Sequence, residues 1–168
     1  KYEELPKDIR WHMIGHLQRN KVKYVVGRAC LIHSVDSYEL AEEISKVAVK
    51  KGVECDILIE VNAAGEESKF GVSPSECADL VKKIALLPAV HIKGLMTVAP
   101  YVAVSEENFE VFTQIMQLGV DITDKNIDNV NMNVFSMGMS GDYETAIKCG
   151  ATYVRVGTGI FGERNYNK

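Results

Sequence analysis

The chain has 168 residues, 46% of them hydrophobic and 25% charged, enough for one soluble globular domain with a sizeable core. Its formal net charge is −4 and its lysines are scattered along predicted helices, which leaves no electrostatic footprint for nucleic acid. No apolar run reaches the roughly 18 to 20 residues that span a bilayer, and Cys30, Cys55, Cys77 and Cys149 form no C-x-x-C pair, so membrane, disulfide-framework and zinc classes are set aside in favour of a cytoplasmic location.

In chain order, six short apolar runs have the length and punctuation of strands: WHMIGHL (11–17), CLIHSV (30–35), CDILIEVN (55–62), HIKGLMTVA (91–99), NVFSMGM (133–139) and YVRVGT (153–158). Between the second and third, residues 37–52 read as a helix, with Ser37 as N-cap, Leu40, Ile44, Val47 and Ala48 at helical spacing, and Gly52 as the stop. Residues 73–88 repeat the pattern, with Pro74 in the first turn and a possible capping box from Ser73 to Glu76. Helices are also expected at 105–118 and 141–149. Strict alternation of strand and helix implies right-handed crossovers and a parallel sheet, an α/β fold. A complete (β/α)8 barrel takes about 250 residues and eight strands. Only six strands are predicted, and the opening KYEELPKDIR reads as the end of a helix. The expectation is one domain over 1–168, a barrel lacking its N-terminal one or two βα units.

Arg155 interrupts the apolar strand YVRVGT. Alternation sends Val154 and Val156 toward the helices and Tyr153, Arg155 and Gly157 inward. A guanidinium cannot shed its charge, so an inward arginine needs acceptors. One candidate is structural, a salt bridge to Glu60, which shares a face with Asn62. The other is a ligand. Gly157, Thr158 and Gly159 follow at the C-terminal end of the strand, where α/β folds place ligands, and glycines there let backbone N–H groups approach an anion. The neighbouring strand ends in SMGMSGD, so Ser136 and Gly157 are expected at like strand ends, forming a phosphate cup.

The segments WHMIGHLQRNK (11–21), EVNAAGEESKFG (60–71), KGLMTVAP (93–100) and SMGMSGDYETAIKCGATYVRVGTGIFGERNY (136–166) resemble, in order and nearly end to end, the pyridoxal-phosphate homeostasis family, itself similar to the N-terminal barrel domain of alanine racemase. The resemblance implies a modified TIM-type barrel with pyridoxal 5′-phosphate at its mouth. By motif position, Ser136, Gly157 and Thr158 would bind the cofactor phosphate, Met137 would line the pocket, and Arg155 would face the pyridine nitrogen. An always-protonated donor there leaves the ring nitrogen unprotonated and weakens the cofactor as an electron sink. The family lysine that anchors the cofactor belongs to a first-strand segment with no counterpart here, so no catalytic residue is nominated. Lys69 could reach the barrel mouth but reads more simply as solvated.

His12, His16, His33 and His91 show no metal-binding spacing and are assigned to packing and hydrogen bonding, with His12 near the cofactor ring. Met13, Met96, Met137 and Met139 read as core filler. There is no GxSxG elbow, P-loop or strand-linked GxGxxG. The resemblance therefore implies a monomeric cofactor-handling protein that binds, buffers and passes pyridoxal phosphate to apo-enzymes. The alternative is an amino-acid racemase, which needs an acid/base group on each face of the substrate carbon.

Overall fold

Apolar runs buried on both faces pair as parallel strands when helices return the chain each time, and the computed structural model, which describes residues 2–66 and 70–163, contains six of them. They are β1 (His12–Met13), β2 (Leu31–Val35), β3 (Cys55–Glu60), β4 (Val90–Met96), β5 (Val130–Met139) and β6 (Tyr153–Arg155). Their order in the sheet is their order in the chain, and every neighbouring pair is parallel. Stepping always one strand onward is the winding of a barrel, whereas a doubly wound sheet reverses direction at a switch point. The sheet curls accordingly: the ring of His12 on β1 lies 5.4 Å from that of Tyr153 on β6, although those strands are not paired. The result is a curled half-barrel of the TIM type.

The helices α1 (Val22–Val25), α2 (Tyr38–Lys51), α3 (Pro74–Ile84), α4 (Phe109–Thr123), α5 (Tyr143–Lys148) and α6 (Thr158–Phe161) follow strands in turn. Ile32, Ile57, Ile92, Leu95, Phe135 and Met137 share one core with Ile44, Val81, Phe112 and Ile115 of the helices. Each such side chain contributes roughly 1.5 to 3 kcal/mol relative to exposure. The concave face is filled by a separate cluster of Leu31, Leu58 and Met96 with Val134, beside the buried polar residues His33, Glu60 and Ser136. No described helix is long and apolar enough to cross a membrane.

The pairing of β4 with β5 carries a pronounced irregularity. Ile92 pairs with Val130, but Gly94 pairs with Val134, so β5 uses four residues where β4 uses two. Gly94 has φ +154°, and a Cβ there would stand 1.8 Å from the carbonyl oxygen of Val134. Only glycine permits this approach of two backbones. The bulge is why β5 starts at Val130, three residues before its apolar run.

Other boundaries differ for local reasons. β1 covers two residues of the expected seven, since it pairs only with β2 and is followed by the exposed Ile14 and by Gly15. α4 follows a single 3-10 turn at Ser105–Asn108 and runs through Gly119 to Thr123 instead of stopping at 118. Gly119 is an interior packing position: a Cβ there would lie 2.4 Å from the ring of Phe135. α3 ends at Ile84, short of 88. The helices α1 and α6, four residues each, are too short to show periodicity. Gly52 closes α2 in the left-handed region, as expected. Ser37 occupies the N-cap position of α2, yet its hydroxyl donates to Asp36, and Ser73 donates to the carboxylate of Glu76 in place of a reciprocal capping box.

Candidate functional site

The inward parity of Arg155 is realised. Its Nη1 donates to Ser136 Oγ at 2.7 Å and its Nη2 to the main-chain oxygen of Thr97 at 2.7 Å. A guanidinium carries five N–H donors, and the remaining three meet no acceptor among the described residues. Burial lowers the pKa of Arg155, against the carboxylates of Glu60 and Asp142, which raise it. The salt-bridge alternative is not what the structure shows: Glu60 shares the face, but the acceptors of Arg155 are a hydroxyl and a carbonyl. Glu60 is 8% exposed, and its Oε2 has no hydrogen-bond partner among the described residues. Burial, with a smaller push from Asp36 and against the pull of Arg155, raises its carboxyl to about 7.

Ser136 is fully buried on the concave side. Besides accepting from Arg155 it lies 2.8 Å from His33 Nδ1, and His33 Nε2 lies 2.9 Å from His12 Nδ1. Burial first, then His12 and Arg155, lower the pKa of His33 to about 3. Burial and Arg10 lower that of His12. The other histidines are engaged elsewhere: His16 stacks on Phe70, and His91 bonds Glu54 and Asn129.

The strand ends correct one expectation. Ser136 and Gly157 do not stand at like ends, because β5 continues to Met139: Ser136 pairs with Tyr153 and Met139 with Arg155. The hydroxyl that meets the loop after β6 is that of Ser140, whose Oγ accepts from Gly159 N at 3.0 Å. Gly157 and Thr158 are exposed, and their main-chain N–H groups donate to no acceptor among the described residues. The turn from β5 into α5 is held by Asp142, which accepts from Met139 N at 2.6 Å and from the Asn108 side-chain amide at 2.9 Å. Asn108, itself buried, also donates to the carbonyl of Pro100. Met137 lies on the opposite face of β5 from Ser136, with its side chain buried in the core shared with the helices. Met96 is buried as core filler, but Met139 is half exposed at the strand end. Lys69 falls outside the described residues.

Sequence reasoning placed Arg155 on the inward face and Gly157 and Thr158 in the loop after β6, and did not point to their neighbours Thr97, His33, Ser140 and Asp142. For His33 a signal existed, since Leu31 and His33 share the inward parity of β2. Ser140 lay in the quoted SMGMSGD but four residues beyond the serine chosen.

A once-wound parallel sheet with ligand-competent donors at its C-terminal edge is a barrel-type binding domain, and the chain belongs to the alanine racemase N-terminal domain family, whose profile matches residues 4–165. Within that family it is 47% identical over 167 residues to the pyridoxal phosphate homeostasis protein of Aquifex aeolicus, covering 99% of this chain and 72% of that protein. It is 36% identical to the pyridoxal phosphate homeostasis protein of Vibrio cholerae, covering 95% of this chain and 66% of the relative. PipY of Synechococcus elongatus, solved with PLP bound, superimposes with a TM-score of 0.84 at 32% identity, over 96% of this chain and 74% of PipY. An alanine racemase of Clostridium difficile shares the fold at a TM-score of 0.73 but only 13% identity, over 95% of this chain and 42% of the racemase. The chain thus spans about two thirds to three quarters of the length of these homeostasis proteins and of PipY.

Proposed function

We propose that this chain binds pyridoxal 5′-phosphate at the mouth of its half-barrel and serves in the homeostasis of that cofactor. On this reading it is a cytoplasmic, monomeric, single-domain protein that holds and buffers the cofactor and passes it to apo-enzymes, with little or no catalysis of its own. The observation that carries the reading is the partly buried, inward-facing Arg155 guanidinium, three of whose N–H donors meet no acceptor among the described residues. A charged donor group removed from water is costly unless an acceptor completes it. The identity to relatives named as pyridoxal phosphate homeostasis proteins supports pyridoxal phosphate as that acceptor.

The donor set fits the group. Gly157 and Thr158 offer two N–H groups with no acceptor among the described residues and a hydroxyl, and Ser140 a second hydroxyl, the chemistry a phosphate monoester requires. Below them Arg155 offers N–H donors to an aromatic ring nitrogen. Pyridoxal phosphate, when bound, supplies an aldehyde that condenses with amines and a ring that withdraws electrons. Arg155 cannot give up its proton to the ring, so it donates a hydrogen bond and leaves the nitrogen unprotonated, which tempers that withdrawal. Ser136 and the carbonyl of Thr97 orient the guanidinium. Met137 supports β5 from the helix side.

The test is a titration of the protein with pyridoxal 5′-phosphate, followed by ligand absorption. Saturable binding is expected, and Arg155→Met should weaken it at least about ten-fold, the loss of a charge-assisted hydrogen bond. Absence of saturable binding by the wild type overturns the reading. Alanine racemisation faster than that given by free cofactor would overturn its non-catalytic part.

A further inference from the structure

Four side chains on four strands form one continuous chain: Arg155 on β6, Ser136 on β5, His33 on β2 and His12 on β1. β3 and β4 separate β2 from β5 in the sheet, so the 2.8 Å contact between Ser136 and His33 crosses the barrel interior.

Elementary donor counting gives this chain a direction. Arg155 can only donate, so Ser136 Oγ accepts from it. Ser136 has one proton of its own and, among the described residues, one other neighbour able to take it, His33 Nδ1. If His33 instead carried its proton on Nδ1, the hydroxyl proton of the fully buried Ser136 would have no acceptor. That penalty corresponds to a preference of about ten-fold or more. His33 therefore holds its proton on Nε2 and donates to His12 Nδ1, which leaves the His12 proton on its outer nitrogen. The strongly lowered pKa of His33, from burial and its neighbours, agrees with an imidazole kept neutral in this row.

We propose that His33, with His12 behind it, is a positioning residue for Arg155, acting through the one-way row Arg155 to Ser136 to His33 to His12. The row fixes one edge of the guanidinium, and with it the direction of the uncommitted donors. The inference rests on the reading of Arg155 as the group that meets the ligand's ring nitrogen.

Two measurements test it. In the ligand-free, 15N-labelled protein at neutral pH, long-range proton–nitrogen correlation spectra are expected to show His33 with Nε2 protonated and Nδ1 bare. In Arg155→Met, where Ser136 is released to accept from His33, both tautomers should be populated. A wild-type His33 protonated on Nδ1 overturns the proposal. Binding is then compared for pyridoxal 5′-phosphate and for benzyl phosphate, which has no ring nitrogen. His33→Leu should weaken the first about five- to ten-fold and leave the second unchanged, while His33→Asn, whose amide oxygen can accept from Ser136, should restore most of the loss. Equal losses on both probes, or a ten-fold loss in His33→Asn, overturn a positioning role. Should His33→Leu not fold, the tautomers and His33→Asn decide. A wild type that binds neither probe defeats the functional reading, and the tautomer spectrum alone then decides the direction of the row.

Discussion

Replacing Glu60 by Gln should make the protein more stable above pH 7 and hardly change it below pH 4.5. In the native state the carboxyl of Glu60 is raised to about 7, chiefly by burial, from its ordinary value of 4.5. Between those two values the native chain keeps the proton and the unfolded chain has released it, so stability falls as pH rises through the window. A span of about 2.5 pH units at 1.36 kcal/mol each gives a penalty of about 3 kcal/mol above pH 7. Glutamine matches the neutral carboxylic acid in size and has no such window. His33 has the opposite sense. Its imidazole is lowered to about 3 from 6.5, so the native state binds fewer protons there and stability is lost as pH falls through that range. In the wild type the two slopes oppose each other between pH 4.5 and 6.5, and Glu60→Gln uncovers the His33 slope. The assay is urea unfolding by circular dichroism at a series of pH values, plotted as mutant minus wild type, in which the His33 contribution cancels. The difference should climb by about 3 kcal/mol from pH 4.5 to 7 and be flat on either side. A difference that stays within about 0.5 kcal/mol across the window, or that slopes the other way, would refute the assignment of Glu60 as a buried, protonated group.

Gly94→Ala should cost about 4 kcal/mol or prevent folding, since the new Cβ meets the Val134 carbonyl at 1.8 Å and both partners are backbone; a loss under about 1 kcal/mol in urea unfolding would contradict the bulge. Gly119→Ala should cost about 1 to 3 kcal/mol despite alanine's better helix propensity, because its Cβ would press on the Phe135 ring, and Phe135→Leu should recover much of it; additivity of the two changes would contradict that contact. The thiols of Cys55 and Cys77, pushed up to about 12 chiefly by burial, should resist iodoacetamide in the native state while exposed Cys30 reacts, as peptide mass spectrometry would show. Early labelling of either buried thiol would contradict the core.

What could be read in advance follows from how far each property reaches along the chain. Six strands, the three long helices and the shorter α5 were visible because apolar runs, caps and helical spacing are local. So was the side on which Arg155 lies, because alternation within one strand decides it. Height was not. Which residue of β5 faces Gly157 depends on the pairing of β5 with β6, and that pairing slips between Ser136 and Met139, where β5 uses three residues against two of β6 around Gly138 at φ +88°. Facing survives because alternation is unbroken from Tyr153 to Arg155 within β6, and because on β5 the slip lies beyond Ser136. That is why the inward positions were identified correctly while the strand-end hydroxyl was placed at Ser136 instead of Ser140. The contact between Ser136 and His33 lies further still from local reach: it joins residues 103 apart and exists only because the sheet curls until β2 faces β5 across the interior. The inward position of Arg155 and the exposed donors of Gly157 and Thr158 are thus legible one strand at a time, and the partners of the guanidinium across the interior are legible only from the curled geometry.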